Sequence, residues 1–127
     1  MFLNHGGTEV TEAVIGAAIE VHRQLGPGLL ESIYESALAY ELADRGFKVE
    51  RQKPVSVRYK GLNFDEGFRL DLLVADSVVL ELKCVESLLP IHEAQLLSYL
   101  KLTGLKVGLL INFKVPVLKN GIKRLSN

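Results

Sequence analysis

The apolar positions of the chain change period partway along, and the change separates helices from strands. Between residues 10 and 25, Val14, Ala17, Ala18, Val21 and Leu25 recur every three or four positions, the spacing of one helix face. Gly26-Pro27-Gly28 ends the run. Residues 1–8 show no periodicity and read as a short flexible arm, with Thr8 as the N-cap of the first helix. A second helix is predicted from just after Gly28 to about Arg45. Leu30, Ile33, Tyr34, Ala37, Leu38, Glu41 and Leu42 lie along one stripe of it, and Gly46 stands just past its C-terminus.

From Phe47 the period is two. Phe47 and Val49, then Val55, Val57 and Tyr59, alternate with polar residues, and Arg51-Gln52-Lys53-Pro54 separates the two groups. Lys60-Gly61-Leu62-Asn63 reads as a turn, followed by strands over residues 68–74 and 78–85 across Ala75-Asp76-Ser77. Pro90 opens a third helix, residues 91 to about 103, with Ala94, Leu97 and Leu100 inward and Gly104 as its stop. Residues 107–113 are almost wholly apolar, the mark of a strand covered on both faces. A closing hairpin, residues 115–118 and 122–125, is expected across Lys119-Asn120-Gly121. The order ααβββ(β)αββ predicts an α/β fold. Its mixed β-sheet is flanked by helices, and the buried strand runs parallel to a neighbour through a right-handed crossover.

Length and composition narrow the class. A chain of 127 residues, 48% of them apolar, supports one compact domain, here residues 1–127. The apolar run at residues 13–18 is interrupted by Gly16 and followed by Glu20, His22 and Arg23. It neither spans a bilayer nor resembles a secretion signal, so a cytoplasmic location without membrane association is expected. The lone Cys84 lacks neighbours at zinc-ligand spacing and reads as a small apolar strand residue. Net charge is zero, but no acidic residue follows Glu93, whereas Lys101, Lys106, Lys114, Lys119, Lys123 and Arg124 do. That third of the chain is either a phosphate-contacting face or ordinary solvated surface.

The chemistry sits in Asp71-x9-Glu81-x-Lys83. These charges lie in strands otherwise built of Leu and Val, with Val79, Glu81 and Lys83 on one side and Leu80, Leu82 and Cys84 on the other. Burying an unpartnered ion costs several kcal/mol, so the polar side requires solvent or a metal against it. If the loop is Ala75-Asp76-Ser77, Val74 faces Val78 and, counting back, Asp71 faces Glu81. Directly opposed residues share a face with Cβ atoms roughly 5 Å apart. Carboxylates that close repel unless a cation lies between them or one is protonated, and their hard oxygens suit Mg²⁺ or Mn²⁺. Lys83 shares the face and can orient a water or offset developing charge. The alternative is an exposed sheet face with a cross-strand Glu-Lys pair.

Asp71, Glu81-Leu82-Lys83 and the helical Gln95-x-x-x-Tyr99 resemble the PD-(D/E)XK nuclease superfamily, the last motif its RecB-like branch. Gly28-Leu29-Leu30-Glu31-Ser32-Ile33-Tyr34 is similar to the motif that names the GxxExxY proteins. The resemblance spans Val21-His22 to the strand at residues 108–113, with Leu70 where the superfamily name has proline. It implies a restriction-endonuclease-like core and a carboxylate site for one or two metals. It also implies a further ligand on the first core helix, where Glu31 is the motif position and Glu35, one turn on, shares its face. By resemblance Gln95 and Tyr99, joined by His92, contact substrate or the site lysine. Gln95 counts with Asp71, Glu81, Lys83 and Glu31 among the catalytic candidates, and His22 and Tyr34 are further candidates.

The expected activity is therefore hydrolysis of phosphodiester bonds, in DNA, by a Mg²⁺- or Mn²⁺-dependent nuclease. So small a domain makes a modest footprint, so a homodimer or a partner protein is expected to help hold the nucleic acid. Two other functions fit the same residues: a catalytically inactive nuclease-fold module for nucleic-acid binding or protein assembly, and a hydrolase of other phosphate esters. A Walker-type phosphate loop is absent.

Overall fold

The computed structural model describes residues 7–127. Two helices, α1 (Gly7–Leu25) and α2 (Glu31–Asp44), precede three strands, β1 (Val49–Tyr59), β2 (Leu62–Val74) and β3 (Val78–Lys83). Helix α3 (Pro90–Thr103) leads to β4 (Val107–Asn112), and a 3₁₀ turn at Leu118–Gly121 leads to β5 (Ile122–Ser126). The five strands form one sheet in the order β1-β2-β3-β4-β5. Strands β3 and β4 pair in parallel across α3, and every other neighbouring pair is antiparallel.

The strands' two-residue alternation divides the core between the sheet's faces. Leu80, Leu82, Leu109 and Ile111 pack with Val14, Ala18, Leu38 and Leu42 of α1 and α2. Val79, Leu110, Leu70 and Leu73 pack with Leu96 and Leu100 of α3 on the other side. Each such leucine contributes about 1.5–3 kcal/mol on burial, so the central strands are the most firmly held part of the molecule. Gly104 stops α3 in the left-handed conformation (φ 75°), and its N–H donates to the Leu100 carbonyl.

Several elements differ from the sequence expectation. The 1–8 arm lies outside the described residues up to position 6. Gly7 and Thr8 belong to α1, so Thr8 is a first-turn residue whose carbonyl accepts the Thr11 hydroxyl, not the N-cap. Arg51-Gln52-Lys53-Pro54 does not divide two strands. β1 runs through it, and the order is ααβββαββ without the optional strand. The β1–β2 turn is only Lys60-Gly61, because Tyr59 pairs with Leu62, and residues 62–67 are strand. β3 ends at Lys83, leaving Cys84 just beyond it. In α3, Leu96 and Leu100 are buried whereas Ala94 and Leu97 are exposed. The closing hairpin is absent: Lys119-Asn120-Gly121 lies in the 3₁₀ turn, and β5 pairs with β4 instead.

That 3₁₀ turn presses on the end of β4. A Cβ at Gly121 would overlap the backbone carbonyl oxygen of Asn112, which cannot swing aside as a side chain does. Gly121→Ala is predicted to destabilise the protein by about 1–3 kcal/mol, read as a lower urea midpoint at unchanged slope. An unshifted midpoint would show that the turn yields freely.

Candidate active site

The β2–β3 ladder closes at Val74↔Val78 and pairs as far as Leu72↔Leu80. Ala75 and Asp76 both have positive φ (54°), as the central residues of a type I′ turn do, and Ser77 N–H donates to the Val74 carbonyl. This turn sets the register that brings Asp71 opposite Glu81. There the strands part and side chains take over the hydrogen bonding. Asp71 N–H donates to Glu81 Oε2 at 3.0 Å, and Leu82 N–H donates to Asp71 Oδ2 at 2.8 Å.

Glu81 is only 5% exposed and Val79 is fully buried, so this is not an exposed sheet face. Among the described residues, Lys83 makes no ion pair with Glu81. Among the described residues the only side-chain oxygen both sealed from solvent and without a hydrogen-bond partner is Glu50 Oε2, so the second oxygen of Glu81 keeps contact with solvent.

Burial pushes the Glu81 carboxyl up to about 8, and the neighbouring charge of Asp71 adds to the rise. Burial is also the first cause that raises Asp71, opposed by the Leu82 N–H, and Glu35 raises it further. Glu31 on α2 is raised by burial and by the charge of Asp71. Lys83 acts in the opposite direction on all three. The site is therefore a knot of negative charge with one nearby ammonium.

Helix α2 presents Glu31 at its first position, and the rest of its motif explains the placement. Tyr34 is fully buried and stacked on Phe113, with ring centroids 4.4 Å apart. Its hydroxyl donates to the Gly26 carbonyl and accepts Leu29 N–H at 3.1 Å, tying down the turn that precedes Glu31. Tyr34 thus supports the site from the core. Glu35, one turn on, is held by Arg51 Nη2 at 3.2 Å and by Gln52 Nε2 at 2.5 Å.

On α3, Tyr99 stacks on Phe68 at 4.2 Å. Its phenol is raised by burial and then by the charges of Glu81 and Asp71, which places it in the field of the site. Gln95 is exposed on the same helix. His92 Nδ1 accepts Leu89 N–H at 3.0 Å, closing the first turn of α3. His22 lies elsewhere: its Nε2 is 2.8 Å from the Val115 carbonyl, its ring tilts against Phe113, and its cleft contains none of the carboxylates.

Two residues that the sequence reading did not single out also shape the site. Gln52 reaches Asp71 as well as Glu35. Asn112 is 2% exposed at the end of β4, where its amide bonds both backbone groups of Val85 and so fixes the chain leaving Lys83. Residue type alone signalled neither, because both act through tertiary neighbours.

Among the described residues no three acidic, imidazole or thiol groups are gathered tightly enough to hold a metal by themselves. The donors nevertheless fit a hard divalent cation. Asp71 and Glu81 lie side by side where the strands part, Glu31 feels the charge of Asp71, Lys83 offsets their repulsion only in part, and Mg²⁺ is commonly held by one or two carboxylates while keeping its waters.

The electrostatics predict how the metal-free protein responds to pH. Folded Glu81 keeps its proton to about pH 8 against an ordinary value of 4.5, so the folded state binds the extra proton between those limits. Stability then falls as pH rises through that window and levels off above it, by an amount on the order of a few kcal/mol. Glu81→Gln is expected to raise the thermal midpoint at pH 8 while changing it little near pH 5. A wild-type midpoint that climbs from pH 5 to 8 in a chelator would contradict this electrostatic picture.

A family profile described as the PD-(D/E)XK nuclease superfamily matches residues 8–125. No curated protein and no solved structure matches the chain significantly. The profile runs from the first turn of α1 into β5 and includes the parting strand ends that carry Asp71, Glu81 and Lys83. With its mixed sheet and flanking helices, in keeping with a restriction-endonuclease-like fold, the chain belongs to the PD-(D/E)XK nuclease superfamily.

Proposed function

We propose that the protein is a cytoplasmic Mg²⁺- or Mn²⁺-dependent nuclease that hydrolyses phosphodiester bonds in DNA. The observation that carries this reading is the pairing of half-buried Asp71 with buried Glu81 where β2 and β3 part, with Lys83 two residues along the same strand as Glu81. A structural pair of carboxylates has no need of that arrangement, which costs stability as it stands.

Asp71 and Glu81 would hold the ion, with Glu31 as a further oxygen donor at the rim. When bound, a divalent ion supplies Lewis acidity toward the phosphoryl oxygen and lowers the pKa of a bound water. Lys83 orients the attacking water and offsets charge developing on phosphorus-bound oxygens. Tyr99, set by its stacking on Phe68, and the exposed Gln95 contact the substrate backbone from α3, and His92 borders them.

Nucleic acid is the expected substrate of a nuclease domain, and some cations are free to meet it. Lys114 and Lys123 are paired with Glu86 and Glu93 at 2.6 and 2.9 Å. Lys101, Lys106 and Lys119 are exposed and, among the described residues, make no ion pair. Phosphate contact therefore falls to a smaller basic set than the sequence indicates, in favour of help from a second copy or a partner protein. No helix among the described residues is long and apolar enough to cross a membrane.

The test is cleavage of labelled single- and double-stranded DNA and RNA with Mg²⁺, Mn²⁺ or EDTA. Wild type is expected to cut DNA only with metal, Glu81→Ala to lose activity, and Lys83→Ala to fall by about 10²–10³-fold. Cutting of RNA alone would move the substrate class. A folded wild type that neither cuts nor binds Mn²⁺ would make the domain a binding or assembly module.

A further inference from the structure

Strand β1 pairs with β2 through Arg51↔Leu72 and Lys53↔Leu70, leaving Gln52 and Asp71 between them outside the ladder. Gln52 has φ of 49°, a left-handed conformation that a residue with a side chain seldom adopts inside a strand. Such a conformation persists only where surrounding contacts outweigh it, and it clusters at functional sites. Here it turns one amide toward two carboxylates. Gln52 Nε2 donates to Glu35 Oε1 at 2.5 Å and lies 3.4 Å from Asp71 Oδ1. Arg51 anchors the same glutamate, with Nη2 at 3.2 Å from Glu35 Oε2 and 2.8 Å from the Ser36 hydroxyl.

Asp71 is consequently gripped on both sides. Its Oδ2 accepts the Leu82 N–H from β3, and its Oδ1 meets the Gln52 amide from β1. Glu35 has its charge answered by Arg51 and its other oxygen occupied by Gln52, so it is less in need of a cation than Glu31.

We infer that Gln52 is a positioning residue for the site carboxylate Asp71, held in its left-handed kink by Glu35, which serves as an anchor and not as a metal ligand. This inference rests on the reading of Asp71 and Glu81 as metal ligands. An amide suits the task because it donates to a carboxylate without adding a charge. The Arg51-Gln52 pair thereby couples α2, β1 and β2 at one point, and orientation of a ligand by such outer partners commonly changes metal affinity by about 10–100-fold.

The test uses the full chain and the variants Gln52→Gly, Glu35→Gln and their double, with Asp71→Asn as the reference for loss of a ligand. Glycine adopts the left-handed conformation freely, so Gln52→Gly removes the amide without straining the backbone. Two readouts are taken: Mn²⁺ affinity by calorimetry, and hydrogen exchange of the Leu82 amide in EDTA, with Leu80 as the reference in the paired ladder. Gln52→Gly is expected to weaken Mn²⁺ binding about tenfold or more and to cost Leu82 its protection, without lowering the unfolding midpoint. The double variant is expected to be no worse than the weaker single one, the mark of residues acting as a unit. Unchanged affinity and unchanged Leu82 protection in Gln52→Gly would overturn the assignment. Loss of binding in Glu35→Gln as complete as in Asp71→Asn would make Glu35 a ligand and overturn its role as anchor. If wild type binds no Mn²⁺, the metal reading fails, and Leu82 protection in EDTA alone still decides for or against positioning.

Discussion

The structure turns on the cost of keeping Asp71 and Glu81 together at the edge of an apolar core. Two like charges, one of them 5% exposed, oppose folding unless each is answered. The backbone answers part of it through the amides of Asp71 and Leu82, which are free because the strands have parted. A raised carboxyl on Glu81 answers more, by favouring a proton where a cation would otherwise stand. Neither device uses all the oxygen lone pairs of the two carboxylates, and hard oxygens of that kind suit a divalent cation.

The rest of the fold supplies the stability this arrangement consumes. The central strands β3 and β4 are covered on both faces, by α1 and α2 on one side and by α3 on the other. Their pairing is parallel and runs from Val78↔Val107 to Lys83↔Asn112, so the apolar part of β3 is rigid up to the point where Glu81 and Lys83 emerge. The turn ahead of α2, tied by the Tyr34 hydroxyl, delivers Glu31 to the same end of the sheet. The side chains of the candidate site are thereby carried on strands and a helix start, with loops left to the periphery.

Much of this was legible in the sequence because it follows from local periods. The three-residue loop Ala75-Asp76-Ser77 fixes which face Asp71 takes, and the observed pair Val74↔Val78 continues that register. What could not be read depends on distant partners. Asn120-Gly121 is a strong hairpin signal, yet the apolar run of β4 needs an edge neighbour, and β5 supplies it. In α3, leucines at positions 96, 97, 100 and 102 leave the phase of the inward stripe ambiguous by one residue, and packing against Val79 and Leu110 chooses Leu96 and Leu100. Leu62 and Phe64 alternate as a strand should, but the turn residues Gly61 and Asn63 around them mask it. The kink at Gln52 has no glycine to announce it. Lys114 and Lys123 count toward a basic face in the sequence, and only the fold shows their acidic partners.

The most direct test of the central claim, that this carboxylate pair is a metal site held in waiting by a proton, is calorimetry of Mn²⁺ binding near pH 7 in buffers of different ionisation enthalpy. Wild type is expected to bind Mn²⁺ and to release protons as it does so, because a Glu81 carboxyl raised to about 8 must give up its proton to the ion. Asp71→Asn is expected to do neither. Binding with no proton release, or binding undiminished in Asp71→Asn, would contradict the claim and send the metal elsewhere on the molecule.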